Sequence, residues 1–285
     1  MAEAGLVISH LLAAPSRAGR RLAEARGPWS LRGRLPAWLG GLNSHGLSSR
    51  GLNSHGLSSR GLNRRLSFHW GRGPVEADFR PAFRREGLDR LLAEIPVELF
   101  SFDLGPAARR RAGPFPCSRP LPAAALRRHT EAALKFIRRH YQGPLAAENY
   151  NFYPTGLYGP VTDPDFIRAH LAEFDLGLVL DLAHARVTAH NLGLDPAAYL
   201  EALPLERTAE IHLSRPWLPP SSSRLQAADA HDSPGPEEWR FLKNILKNPR
   251  LPLGTPVFVE YYGNLSKLVL AQSRLEKLIA NLETE

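Results

Sequence analysis

The sequence predicts an α/β fold closed as a (β/α)8 TIM-type barrel, with irregular or missing strands at its N-terminal end. Short apolar runs alternate with amphipathic helical patterns over residues 66–285, which is typical of parallel strands joined by right-handed crossover helices. Nearly every apolar run also ends in a histidine, an aspartate or a glutamate. Because the carboxyl ends of parallel barrel strands meet on one face, these side chains are predicted to converge there.

Six segments have the composition of strands. They read RLSFHW, VELFSFDL, PLAAENYNF, LGLVLDL, TAEIHLS and PVFVEYY, and they cover 65–70, 97–104, 144–152, 176–182, 208–214 and 256–262. Helical patterns follow at 87–95, 122–141, 163–174, 195–203, 236–248 and 265–282. Asp163-Pro164 and Asp195-Pro196 are typical helix starts, with a capping aspartate before a proline in the first turn. The first barrel strands are hard to identify, and GLVISHLL at 5–12 is one alternative for them.

Residues 1–65 differ from the rest and are predicted to form a poorly ordered extension, with the metal-binding barrel at 66–285. The segment GLNSHGLSSR at 41–50 is repeated without change at 51–60. A ten-residue repeat rich in Gly and Ser is too short for a solenoid unit. Recent duplication in a linker therefore explains His45 and His55 better than metal binding does. An organelle transit peptide and a start codon assigned too far upstream are the alternatives for this arginine-rich segment.

Composition and charge exclude several classes of protein. No run of 18 or more apolar residues is present, so no membrane-spanning helix is predicted. A single cysteine, Cys117, excludes an internal disulfide framework and favours a reducing, cytoplasmic location, with organelle targeting left open. Residues 1–65 hold ten arginines and two acids, whereas residues 66–285 hold 26 basic and 26 acidic residues. The predicted barrel is therefore electrically balanced, which argues against nucleic-acid binding.

The polar residues at the strand ends are metal-type ligands. They are His69, Asp103, Glu148, Asp181 with His184, His212 and Glu260, joined by Asp229 and His231 in the segment ADAHDSP. A carboxylate flanked by strand apolars is costly to bury without a partner, and a divalent cation offsets that cost for several carboxylates together. Oxygen and imidazole donors without thiolate suit iron, manganese or zinc. The donors outnumber one coordination sphere, so two or three ions are predicted.

The central segments resemble a known superfamily. ENYNFY, LVLDLAHARVTAHNLGLDPAAYLEALPLERTAEIHLS, DAHD and FVEYY are similar to the xylose-isomerase-like TIM-barrel superfamily. Within it, AHNLGLDPAAYLEALP followed by EIHL resembles the multinuclear non-haem iron-dependent oxidative enzymes, the family of the methanobactin-biosynthesis iron enzyme. The resemblance covers roughly residues 66–265.

This resemblance implies a site of two or three irons and a function. The implied ligands are His69, Glu148, Asp181, His184, His212, Asp229, His231 and Glu260. Asp103, Asn149 and His190 would be supporting or alternate ligands, and His190 is either a ligand or a hydrogen-bonding residue at the start of a loop. Such enzymes use dioxygen to modify cysteine or backbone atoms of a ribosomally made peptide, which a partner protein presents.

Three departures from that family leave alternatives open. The family has a histidine where Asp103 stands, an Asn-type residue where His184 stands, and a further histidine in place of Arg215-Pro216. These changes resemble the wider superfamily of sugar isomerases, epimerases and endonuclease-IV-type hydrolases.

Lysines are absent before Lys135, and the five present fall on predicted helices, which disfavours a lysine-assisted isomerase. A degenerate barrel kept for binding or scaffolding is the non-enzymatic alternative.

Overall fold

Eight parallel strands form a closed barrel in the computed structural model, which describes residues 3–7, 29–32, 66–75, 79–94, 97–110, 118–220, 223, 225–261 and 263–284. The strands in spatial order are β1 (Glu3–Val7), β2 (Trp29–Arg32), β3 (Leu66–Trp70), β4 (Leu99–Asp103), β7 (Leu145–Glu148), β8 (Gly177–Asp181), β9 (Thr208–Leu213) and β12 (Pro256–Val259). β12 pairs with β1 and closes the barrel. The predicted (β/α)8 fold is confirmed.

The two N-terminal strands are the irregular part of the barrel. β1 and β2 pair over only two residue positions, Leu6 with Trp29 and Val7 with Ser30. Both strands come from the segment that was predicted to be a poorly ordered extension. The proposed division at residue 65 therefore separates two short barrel strands from the other six, and it remains a proposal. The repeat at 41–60, with His45 and His55, and Cys117 lie outside the described residues.

Helices surround the barrel in the order of the predicted crossovers. They are α1 (Phe79–Arg85), α2 (Leu88–Glu94), α3 (Ala123–Ile137), α4 (Gly159–Thr162), α5 (Pro164–Glu173), α6 (Leu182–Leu192), α7 (Pro196–Ala202), α8 (Pro236–Leu246) and α9 (Leu265–Thr284), with a 3-10 turn at Leu205–Arg207. Asp163 and Asp195 cap α5 and α7 as the sequence predicts, since their side chains accept from Asp165 N and Ala198 N. Within the described ranges, no helix is both long and apolar enough to cross a membrane.

Two antiparallel hairpins lie outside the barrel sheet. One joins β5 (Ala108–Arg110) to β6 (Ser118–Pro120), and the other joins β10 (Arg215–Trp217) to β11 (Ala228–Asp232). The second hairpin contacts helix α6, which follows β8. This covering explains why all eight residues of 182–189 are buried, although the crossover helices of a barrel normally expose one face.

Candidate metal centre

The barrel gathers the predicted ligands at the carboxyl ends of its strands. His69, Asp103, Glu148, Asp181 and His212 lie at or near the ends of β3, β4, β7, β8 and β9. Glu260 directly follows β12, and its backbone N–H donates to Leu213 O at 2.9 Å. Side chains alternate between the two faces of a strand, so each of these residues points into the barrel when the flanking apolar residues pack against the helices.

Three groups of donor atoms result, each with its atoms within 4.8 Å of one another. The groups are His69 with Asp103 and Glu148; Glu148 with Asp181, His212 and Glu260; and His184 with Asp229 and His231. Glu148 belongs to two of them. The structure thus brings together all eight predicted ligands, together with Asp103, which was predicted as a supporting residue.

Glu148 connects two histidines through its two oxygens. His212 Nδ1 lies 2.6 Å from Glu148 Oε1, and His69 Nε2 lies 3.1 Å from Glu148 Oε2. His69 Nε2 also lies 3.1 Å from Asp103 Oδ1, while its Nδ1 contacts Ser101 Oγ at 3.0 Å. Because Ser101 takes the Nδ1 side of this ring, Nε2 is the nitrogen that faces the carboxylates.

Asp181 and Asn149 set the start of helix α6. Asp181 Oδ1 accepts from His184 N at 2.8 Å and caps the helix. The Asn149 amide bridges the backbone of Asp181: Oδ1 accepts from Asp181 N at 2.8 Å and Nδ2 donates to Asp181 O at 3.0 Å. His184 Nδ1 in turn donates to Asn149 O at 2.8 Å, which turns Nε2 toward Asp229. Asn149 thus supports two ligands through the backbone.

The expectation that His190 begins a loop is wrong. His190 lies inside helix α6, which the Asp181 cap starts and Gly193 ends in the left-handed conformation at φ 69°. Residues six apart on a helix point in widely different directions, so His190 does not lie on the same face as His184. The donor groups found among the described residues do not include it. Its neighbour Asn191 instead joins helix and hairpin, since its amide bonds both the N–H and the carbonyl of Ala227.

The hairpin β10–β11 supplies the last two donors. His231 Nδ1 lies 2.8 Å from Asp229 Oδ2, and His231 Nε2 lies 2.9 Å from Glu260 Oε1. His231 therefore connects the third donor group to the second. Its backbone has φ 45°, a conformation uncommon for residues other than glycine. Such strain persists only where surrounding contacts hold it, and it is frequent at functional sites.

Opposite charges stabilise the third donor group, His184 with Asp229 and His231. Burial opposes the charged form of His184, but the carboxylates of Asp181 and Asp229 outweigh it and hold the pKa of the imidazole well above its usual value. Burial likewise opposes ionisation of Asp229, while hydrogen bonds from His184 and His231 hold the pKa of its carboxyl below the usual range. The positive charge that His184 carries thus balances the carboxylates, as a bound cation would.

The donors fit a cluster of metal ions. Asp181 is fully buried, its Oδ2 atom has no hydrogen-bond partner, and the residue shares a donor group with Glu148 and Glu260. A buried carboxylate oxygen of this kind requires a partner. The donors are carboxylate and imidazole throughout, the set that binds iron, manganese or zinc.

The sequence analysis did not identify one buried acid near the centre, Glu210. Glu210 lies two residues before His212 on β9, is fully buried, and its Oε1 accepts from His212 Nε2 at 2.9 Å. The available signal was the spacing, because residues i and i+2 of a strand share a face. A glutamate two positions before a predicted ligand therefore points into the barrel as well.

Comparison with known proteins identifies the family. Residues 117–280 match the model of the RiPP precursor modification enzymes MbnB/TglH/ChrH, where RiPP denotes a ribosomally made, post-translationally modified peptide. The match covers more than half of the chain. The chain belongs to this family. The predicted resemblance is therefore confirmed at the level of the enzyme family, whose substrate class is a precursor peptide.

Individual curated relatives align with shorter parts of the chain than the family model does. A UPF0276 protein of Paraburkholderia phytofirmans is 30% identical over 147 residues, which are 48% of this chain and 47% of the relative. A UPF0276 protein of Pseudomonas aeruginosa is 36% identical over 97 residues, 33% of this chain and 34% of the relative. The chain thus aligns with half or less of the length of these curated relatives.

Solved structures show the same fold at low identity. Endonuclease IV from Thermus thermophilus superposes with a TM-score of 0.59 at 16% identity over 98% of both chains. The 3-keto-D-glucoside 4-epimerase from E. coli superposes with a TM-score of 0.53 at 14% identity over 93% of both chains. At these identities the likeness establishes the barrel and not the reaction.

Proposed function

We propose that the protein holds two or three iron ions at this centre and uses dioxygen to modify a ribosomally made peptide, at cysteine or backbone atoms. The observation that carries this is the sharing of Glu148 between two donor groups, next to a third that His231 joins to Glu260, in a chain of the RiPP precursor modification family. Manganese and zinc suit the same donors and are the alternatives for the metal.

Each of the three donor groups would hold one ion of the cluster. His69, Asp103 and Glu148 would hold one ion; Glu148, Asp181, His212 and Glu260 a second; and His184, Asp229 and His231 a third. Ser101 and the Asn149 carbonyl fix the rings of His69 and His184 through their second nitrogens. Bound ferrous iron would supply the electrons that activate dioxygen.

The exposure of the ligands indicates where a substrate enters. The side chains of His212 and Glu260 are fully buried, whereas that of His231 is 27% exposed. The open side of the centre therefore lies at the hairpin β10–β11. Tyr153 lies there too, with its hydroxyl 3.5 Å from Asp229 N and its ring 5.3 Å from that of Tyr158. Aromatic side chains at a mouth are suited to contact a peptide backbone and apolar side chains.

Apolar residues on the same side support docking of the peptide or of a protein that presents it. Trp217, paired in register with Ala228 beside Asp229, is 49% exposed, and Leu225 is also exposed. The contact of Asn191 with Ala227 brings the end of α6, with exposed Leu192 and Leu194, to this hairpin. Six large apolar side chains are exposed in the described ranges, and these four are among them. Such clustering of exposed apolar side chains is typical of interaction sites.

The experiment is anaerobic reconstitution with ferrous iron, followed by metal analysis and exposure to dioxygen with a candidate precursor peptide. We expect two or more equivalents of iron per chain, and peptide-dependent dioxygen consumption with a mass change in the peptide. The assay is run with and without the protein encoded beside the gene, which tests the presenting partner. Less than one equivalent of metal overturns the cluster, and bound metal with no peptide-dependent oxidation overturns the reaction.

A metal-dependent isomerase, epimerase or phosphoester hydrolase is the second candidate. The spacings Asp181-x-x-His184 and Asp229-x-His231 resemble the wider superfamily, and all four side chains lie in the donor groups. The structure of the described barrel does not distinguish these reactions, because each uses metal ions at strand ends. The same preparation, assayed without dioxygen against keto sugars and abasic DNA, separates them from the oxidative reaction.

A further inference from the structure

Glu210 occupies a layer of the barrel interior where no ligand is expected. Six strands with described side chains place the ligands in an upper layer, and the residues two positions earlier lie beneath them. That lower layer consists of Ser67, Ser101, Ala146, Val179, Glu210 and Phe258. Glu210 is the one charged residue among these six. A carboxylate in the interior of a parallel barrel replaces an apolar side chain that would otherwise fill the layer.

The backbone of β9 is irregular immediately before this residue. The pairing of β8 with β9 shifts register between Leu178 and Val179, whose partners are Thr208 and Glu210, so that Ala209 is the extra residue. A bulge of this kind re-aims the following side chain. Here it precedes the pair Glu210 and His212, both fully buried.

The contact of Glu210 determines which nitrogen of His212 is available. An ionised carboxylate only accepts hydrogen bonds, so the ring nitrogen that faces Glu210 Oε1 at 2.9 Å, Nε2, carries the proton. The other nitrogen, Nδ1, faces the carboxylates of the donor group, with Glu148 Oε1 at 2.6 Å and Glu260 Oε2 at 3.9 Å, and it is therefore the nitrogen that can bind a cation held by them. This is the donor group proposed to hold the second metal ion.

The other two anchored histidines have neutral partners. His69 is held by the Ser101 hydroxyl and His184 by the Asn149 carbonyl. A carboxylate behind a ligating histidine fixes the tautomer and the ring orientation, and it also makes the imidazole a stronger donor to the cation. His212 alone among these three has such a partner.

We propose that Glu210 is a positioning residue of the metal centre, which holds the proton on His212 Nε2 so that Nδ1 binds the ion shared with Glu148, Asp181 and Glu260. The inference rests on the proposed metal binding and goes beyond the ligand set. Glu210 acts on the affinity of this donor group for a divalent cation through the His212 ring, and it does not belong to the donor group itself.

Two substitutions separate the charge from the hydrogen bond. Glu210→Gln keeps the side-chain shape and an amide oxygen that accepts from His212 Nε2, but removes the charge. Glu210→Leu removes both. Titration of the metal-free protein with cobalt(II), followed by visible absorption, is expected to show affinity about 10-fold lower for the first and about 100-fold lower for the second at the affected site. Thr208→Val is the matched control, a buried polar residue on the same strand that should leave cobalt binding unchanged.

A purely structural role for Glu210 gives a different result. Both variants would then melt at a lower temperature in the metal-free state and bind cobalt with wild-type affinity once folded, and that outcome overturns the proposal. A further test introduces Glu210→Gln into the His212→Gln variant. In this background Glu210→Gln should not change the cobalt affinity, and a further loss of affinity would also overturn the proposal. Wild-type protein that binds less than one equivalent would instead overturn the proposed function.

Discussion

Two buried histidine environments in this protein have opposite electrostatics. His170, on the inner side of α5, lies between the rings of Phe166 and Phe174 with centroids at 5.0 and 4.9 Å, and its Nε2 contacts Thr130 Oγ1 at 3.0 Å. Burial, with a smaller contribution from Arg127, lowers the pKa of His170 to about 4. At His184 burial acts in the same direction, but the carboxylates of Asp181 and Asp229 raise the pKa well above the usual value.

Burial alone therefore does not identify a ligating histidine, whereas carboxylates around it do. His170 is a neutral core residue with one hydroxyl partner and two aromatic neighbours. His184 shares its surroundings with acids that need a cation, and a proton or a metal ion can supply that charge. The two environments should therefore respond in opposite ways to the loss of a carboxylate and to pH.

The largest effect is expected from Glu148→Gln. This change removes a charged donor from two groups at once, so iron content should fall by more than one equivalent and turnover should fall by at least about 1000-fold. Metal analysis and the dioxygen assay measure both. The matched control is Glu238→Gln, a buried acid that pairs with Arg186 outside the donor groups, which should keep wild-type iron content. Equal iron in the two variants would contradict the assignment.

A smaller effect, on stability alone, is expected at His170. The folded pKa lies below the unfolded value, so the neutral ring contributes stability that is fully present above about pH 6.5 and is lost as pH falls toward 4. The loss is on the order of 1.4 kcal/mol per pH unit within that window. His170→Gln, which does not titrate, should remove this dependence and leave metal content unchanged.

Urea unfolding of metal-free wild-type and His170→Gln protein at pH 7, 5.5 and 4.5 measures the effect. All other titratable groups are the same in the two proteins, so the difference between the two isolates His170. The wild type should lose more stability than the variant at each step down in pH. Parallel losses would show that His170 is protonated in the folded state, and the contrast with His184 would then fail.

The sequence predicted the strand-end ligands because each is a charged or imidazole side chain inside an apolar β-type run. It did not predict helix α6, since residues 182–189 are buried all round and show no amphipathic period. The Asp181 cap and Gly193 were the local signals for its ends. The strand Ala228–Asp232 was missed for a different reason: none of its residues is buried, so its burial follows no alternation. The partners of Asn149, Glu210 and Asn191 depend on tertiary contacts that no spacing alone determines.

The smallest effect is expected from removing the repeat, which holds histidines of a third kind. His45 and His55 occupy equivalent positions in two copies of GLNSHGLSSR, far in sequence from any apolar run that ends in a carboxylate. If carboxylates around a histidine are what create a metal site, excision of residues 41–60 should change neither iron content nor cobalt affinity. The deletion keeps Glu3–Val7 and Trp29–Arg32, the segments that close the barrel, and so the melting temperature should also stay within a few degrees of the wild type.

A second deletion, of residues 1–65, removes both strands and leaves the strand pairing of β12 and β3 open, and it should unfold the protein or lower its melting temperature sharply. Loss of an equivalent of metal in the first deletion, with the fold intact, would mean that histidines without neighbouring acids bind metal in this chain.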